Sequence, residues 1–129
     1  MESIRLDGTT ILTDPLFGSR IGMRLAGSLT VGPSRLVPPA LRLRDLPPLD
    51  LVLVSHAHHD HLHRRSLRAL ASAATTIVVP HQCADLVRDL GYSQVVELDV
   101  GESYDHRGLA QITLVPSRHY GARRPGEST

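Results

Sequence analysis

The sequence has no lysine and no tryptophan, a single phenylalanine, a single cysteine and only 3% aromatic residues in 129 positions. Each scarcity excludes something. A lone Cys83 cannot build an internal disulfide framework and suits a reducing compartment, so a cytoplasmic location is expected. So few aromatics leave no stacking platform for single-stranded nucleic acid. All 14 basic residues are arginine, and against 13 acidic ones they give a net charge of +1. No dense basic stripe stands out, so no nucleic-acid partner is expected. No apolar run approaches the ~18 residues of a transmembrane helix, so no transmembrane segment is expected. The first residues carry no basic region followed by an apolar stretch, so no secretory signal is read there. The composition, 41% hydrophobic and 21% charged, excludes an intrinsically disordered chain. The length suits one domain with a modest core and is too short for two.

What the chain does have is histidine: eight residues, five of them between positions 56 and 63. Around this cluster strands and helices alternate. Thr9–Thr13 reads as a strand, and Ile4 and Leu6 before the Asp7-Gly8 pair predict a partner strand in a hairpin. Residues 14–50 hold six prolines and four glycines and predict a long irregular loop, with a short helix near Arg20–Ala26. Leu51–Val54 is a continuous apolar run, the mark of a strand buried on both faces. A helix is expected to begin at about Asp60 or Ser66 and to end at Ser72, with Leu62, Leu67 and Leu70 on one side. Thr76–Val79 predicts a second buried strand. His81–Leu90 predicts a short helix with Cys83, Leu86, Val87 and Leu90 on one face and Gly91 as its cap. Val95–Leu98 and Ile112–Val115 read as two further strands.

The segment Ser55-His56-Ala57-His58-His59-Asp60-His61 has the form His-x-His-x-Asp-His. At a strand end, residues i and i+2 project to the same side, so His56 and His58 can reach one ion together. Asp60 and His61 follow after the chain turns and point to a neighbouring position. Neutral imidazole and carboxylate are the donors that zinc and similar divalent metals accept. Burying four such groups without a metal would leave polar atoms hard to satisfy. His59 and His63 have no place in this spacing and are read as surface histidines. His81 is read as structural at a helix start, and His106 as solvated in the turn around Asp105–Gly108. Cys83 is placed in the core rather than as a reactive thiol. Arg123 and Arg124 are read as part of a solvated tail.

Leu51–Leu62 resembles the signature of the metallo-β-lactamase fold. Ile11–Phe17, with Asp14, resembles that fold's early strand and its carboxylate. Gly32–Arg35 with Pro38 and Pro39, then Asp45–Asp50, resembles the branch that contains the N-acyl-phosphatidylethanolamine-hydrolysing phospholipase D. Pro116–Arg123 resembles that branch's next segment, a Pro-x-x-His followed by an aromatic residue and an arginine. The resemblance implies an α/β (α+β) fold, the αββα sandwich, with residues 1–129 as one partial domain corresponding to its N-terminal half. It implies that His56, His58 and His119 hold one metal, that Asp60 and His61 hold a second, and that Asp14 supports these ligands from behind. The ions expected are one or two zinc, with manganese as an alternative. The implied reaction is hydrolysis of a phosphodiester or phospholipid-like ester, or of a lactone, by a hydroxide that the metals activate, with Asp60 helping to orient it.

The resemblance also implies absences. The family's bridging Asp and its final His belong to a later half that has no counterpart in this sequence, and the Gly-His segment of its first strand is replaced here by Met1–Ser3. A non-catalytic metal-binding fragment is therefore the rival reading. An uncovered sheet face capable of self-association is expected. A helical His-Asp phosphohydrolase is a weaker rival, because these histidines follow a strand.

Overall fold

The computed structural model describes residues 1–18, 23–24, 30–31 and 42–116. The hairpin predicted around Asp7-Gly8 is present. Strand β1 (Glu2–Leu6) runs antiparallel to β2 (Thr9–Thr13), with Leu6 opposite Thr9. Both turn residues have positive φ, 47° at Asp7 and 82° at Gly8, as a two-residue hairpin turn demands. Within the region read as a loop, β3 (Met23–Arg24) pairs antiparallel with β4 (Thr30–Val31). The short helix expected near residues 20–26 is therefore not found at Met23–Arg24, and its remaining positions lie outside the described residues.

Regular structure resumes with a 3-10 turn at Leu43–Asp45, then β5 (Leu51–Leu53), helix α1 (Arg64–Leu70), β6 (Thr76–Pro80) and β7 (Gln94–Leu98). These strands join the hairpin in one five-stranded sheet of order β1-β2-β5-β6-β7. β2, β5, β6 and β7 are parallel, and only the edge strand β1 runs against them. The sheet is mixed, with a parallel centre covered on both faces, which is why the central strands read as unbroken apolar runs.

Side chains alternate across the sheet. One face sends Val52, Val54, Ile77 and Val79 into a core closed by Leu62, Leu67, Cys83, Ala84, Val87 and Leu90. The other sends Ile11, Leu51, Val78 and Leu98 toward Ala110, Ile112 and Leu114. These last residues belong to or follow β9 (Ala110–Thr113), which pairs antiparallel with β8 (Ser103–His106) in a separate two-stranded sheet.

Three readings need correction. The helix predicted over His81–Leu90 is instead a pair of 3-10 turns, Ala84–Leu86 and Arg88–Leu90. Val87 sits between them at φ −129°, fully buried, and the Glu97 carboxylate takes the Ala84 N–H at 2.7 Å. The chain turns twice, and Cys83, Ala84, Val87 and Leu90 all reach the core. Gly91 still ends the segment in the left-handed conformation, φ 100°. His106 is not solvated: it is 3% exposed at the end of β8, opposite Ala110, with its ring against Tyr104. His63 is half-buried and caps α1, its Nδ1 accepting from the Ser66 N–H. Cys83 is buried as expected. His81 is exposed, with Nδ1 2.8 Å from Asp99.

Candidate metal centre

Two parallel strands end side by side at the carboxyl edge of the sheet. β2 stops at Thr13 and β5 at Leu53, residues paired in register. In open α/β sheets this edge is where ligands bind, because successive loops leave the strands there together. Asp14 follows β2 in a left-handed conformation, φ 43°, and its N–H donates to the Leu53 carbonyl at 2.8 Å. That bond fixes the Asp14 side chain beside the residue at which the His-rich loop begins.

The Asp14 carboxylate organises this loop. Its Oδ1 accepts the Ser55 N–H at 2.7 Å, and its Oδ2 accepts the Ser55 hydroxyl at 2.8 Å and His61 Nδ1 at 2.9 Å. Burial pushes the Asp14 pKa up. The Ser55 N–H, the His61 ring and the Ser55 hydroxyl more than offset this, and the carboxyl lies below its ordinary value of 3.8. Ser55 Oγ also meets His56 Nδ1 at 2.8 Å. The loop then closes tightly, with the N–H groups of His61 and Leu62 both donating to the His58 carbonyl. Leu62, fully buried, anchors that turn in the core.

The turn gathers the donors. His56, His58 and Asp60 each offer one ligand atom, and these atoms lie within 4.8 Å of one another. The His56 and His58 rings meet edge to face, centroids 4.7 Å apart, and the His56 and His61 centroids are 3.8 Å apart. His61 Nε2 stands 3.3 Å from Asp60 Oδ2. Asp60 thus lies within 4.8 Å of the His56 and His58 donors and beside His61, so the two metal positions expected from the spacing fall in one donor cluster. The donor chemistry fits a divalent metal: imidazole nitrogens with a carboxylate oxygen, backed by a carboxylate that orients the rings. All the candidate ligands named from the sequence are brought together here except His119, which lies outside the described residues, as do Arg123 and Arg124. Ser55 was not among them. Its only sequence signal is its place between the apolar strand and the first histidine.

The profile of the beta-lactamase superfamily domain matches residues 9–129. The chain belongs to this superfamily. Among its relatives, N-acyl-phosphatidylethanolamine-hydrolyzing phospholipase D 1 of Caenorhabditis elegans is 31% identical over 130 residues, covering 93% of this chain and 35% of that protein. A metal-dependent hydrolase of Methanopyrus kandleri is 29% identical over 116 residues, covering 90% of this chain and 42% of that protein. The superfamily fold is also that of an isothiocyanate hydrolase from Delia radicum gut bacteria, which superposes with a TM-score of 0.59 over 81% of this chain and 40% of that one, at 19% identity. The chain thus spans well under half the length of these relatives. As a member of the superfamily it carries the mixed α/β sheet and the His-His-Asp cluster at its carboxyl edge.

Proposed function

We propose that this chain carries the metal-holding part of a hydrolase that acts on a phosphodiester or phospholipid-like ester, with a lactone as the alternative substrate. The observation that carries the proposal is the convergence of His56, His58 and Asp60 within 4.8 Å. The phospholipase name of the Caenorhabditis elegans relative supports the ester class. The metal-dependent name of the Methanopyrus kandleri relative supports the need for an ion.

His56, His58 and Asp60 would hold the ion, zinc or manganese. His61 would join through its contact with Asp60, and His119 would supply a further imidazole. When bound, such an ion supplies Lewis acidity and lowers the pKa of water. The remaining work falls to the chain. Asp14 holds the His61 ring through Nδ1, which leaves Nε2 to face Asp60. Asp60 would hold the ion and orient the attacking water. The exposure of its side chain, 44%, keeps the cluster within reach of solvent and substrate.

The test is metal content followed by turnover. After dialysis the chain is expected to retain about one equivalent of zinc, and the His56→Ala/His58→Ala double variant to retain none, since loss of two ligands leaves too few donors for a stable site. Equal zinc in both proteins overturns the assignment. With zinc or manganese added, hydrolysis of bis-p-nitrophenyl phosphate or of a simple lactone, abolished by His58→Ala, supports the hydrolase. Metal retention with no turnover of either substrate favours the non-catalytic metal-binding reading instead.

A further inference from the structure

Ser55 sits where three titratable groups meet, yet it is neither a ligand nor part of the sheet. Its hydroxyl lies 2.8 Å from Asp14 Oδ2, 2.8 Å from His56 Nδ1 and 3.3 Å from His61 Nδ1. A hydroxyl has one proton to give and two lone pairs to receive with. The ionised Asp14 carboxylate can only accept, and a hydrogen bond to a charged acceptor is the stronger choice. The Ser55 proton therefore goes to Asp14, and its lone pairs remain for the rings. His56 Nδ1 must then carry a hydrogen and donate it to Ser55.

We infer that Ser55 is a positioning residue: anchored on Asp14, it holds His56 as the Nδ1–H tautomer and so turns Nε2 toward the donors of His58 and Asp60. The inference rests on the reading of these residues as a metal centre. Asp14 fixes His61 directly at 2.9 Å and fixes His56 through Ser55, so a single carboxylate orients two histidines, one by way of a hydroxyl. The backbone contribution of Ser55 is separate, since its N–H donates to Asp14 Oδ1 whatever its side chain. Removing the hydroxyl therefore takes this partner from His56 Nδ1 while the loop keeps its anchor.

The experiment compares this chain with its Ser55→Ala and Ser55→Thr variants. Long-range proton–nitrogen spectra of the metal-free proteins read the His56 tautomer, and competition with a chromophoric chelator reads zinc affinity. The Nδ1–H form is expected in the parent chain and in Ser55→Thr, which keeps the hydroxyl. Ser55→Ala is expected to show mixed tautomers and to bind zinc about 10–100-fold more weakly, the usual cost of losing a partner that orients a ligand. A merely structural serine would lower the melting temperature and leave tautomer and affinity alone. An Nε2–H tautomer in the metal-free parent chain overturns the inference, and so does a Ser55→Ala variant with parental tautomer and affinity. If the parent chain binds no zinc, the metal-centre reading fails by itself, and the tautomer of the metal-free chain still decides the role of Ser55.

Discussion

Tyr92 joins two parts of the core through one hydrogen bond. Its hydroxyl donates to the Leu67 carbonyl at 2.7 Å, and that carbonyl lies in the last turn of α1, where helical acceptors have no partner of their own. Burial pushes the phenol pKa up, so Tyr92 stays a neutral donor across the working pH range. Tyr92→Phe keeps the ring and loses only this bond. The expected cost is about 1 kcal/mol, read as a fall of roughly 3–6 °C in melting temperature for a chain of this size. An unchanged melt would show that water satisfies the Leu67 carbonyl equally well. The candidate site was largely legible at this scale for a simple reason. His56, His58, Asp60 and His61 are neighbours in the chain, and the geometry of a strand end and a tight turn decides where they point. Asp14 could be named only through resemblance, because its contact with His61 spans 47 positions. Ser55 carried only the signal of its place before the first histidine, and a serine after a strand is common. His63 and His106 were misread because their surroundings come from partners the local sequence does not name, the Ser66 N–H and the strand around Ala110.

Helix α1 is held against the 3-10 turns by charge as well as by packing. Arg64 donates to the Leu86 carbonyl and, with Arg68, to the Asp89 carboxylate. The Arg64 hydrogen bonds outweigh the slight upward push of burial, and with the charges of Arg64 and Arg68 they hold Asp89 below its ordinary 3.8. A carboxyl whose pKa is lower in the folded chain stabilises the fold above its unfolded pKa, and that stabilisation is lost as pH falls through the lowered value. Asp89→Asn is therefore expected to lower stability slightly from neutral pH down to about pH 5, and the gap to the parent chain should narrow as pH falls below about 4. Urea melts at pH 7 and pH 3 measure the trend, and a gap as wide at pH 3 as at pH 7 contradicts the assignment. Elements of strong pattern were legible here. The Asp7-Gly8 hairpin, β5, β6 and β7 declared themselves by turn chemistry and apolar runs. β8 did not, because Ser103-Tyr104-Asp105-His106 is short and mostly polar and becomes a strand only through pairing with β9. The segment after β6 matched a helical period, with Cys83, Ala84, Val87 and Leu90 all in the core, yet it folds as two tight turns whose first N–H is taken by the distant Glu97 carboxylate.

At the scale of the molecule, the described residues cover the two sheet faces unequally. One face is closed by α1, Leu62 and the 3-10 turns. Among the described residues the other carries only the β8–β9 hairpin, and beside it runs a groove of about 300 Å³ whose walls include Leu53, Val78, Leu98, Ile112 and Leu114. Ile4, opposite Ile11 in register, and Leu6, opposite Thr9, continue this face to the edge strand, where they are 40% and 46% exposed. Every residue of β1 is exposed, and its outer side is an unpaired sheet edge among the described residues. An apolar face that ends in such an edge invites association by strand pairing. One five-residue edge with two exposed apolar side chains falls short of the ~1,200 Å² that a stable interface buries, so the association should be weak and depend on concentration. Sedimentation velocity is expected to show the average sedimentation coefficient rising with concentration. Leu6→Glu should restore a monomer, because a charge placed on the edge of the apolar face must be desolvated before two copies can pair. The same substitution leaves the buried cores untouched, so its far-ultraviolet circular dichroism should match the parent chain. A parent chain that stays monomeric at every concentration would falsify self-association through this face.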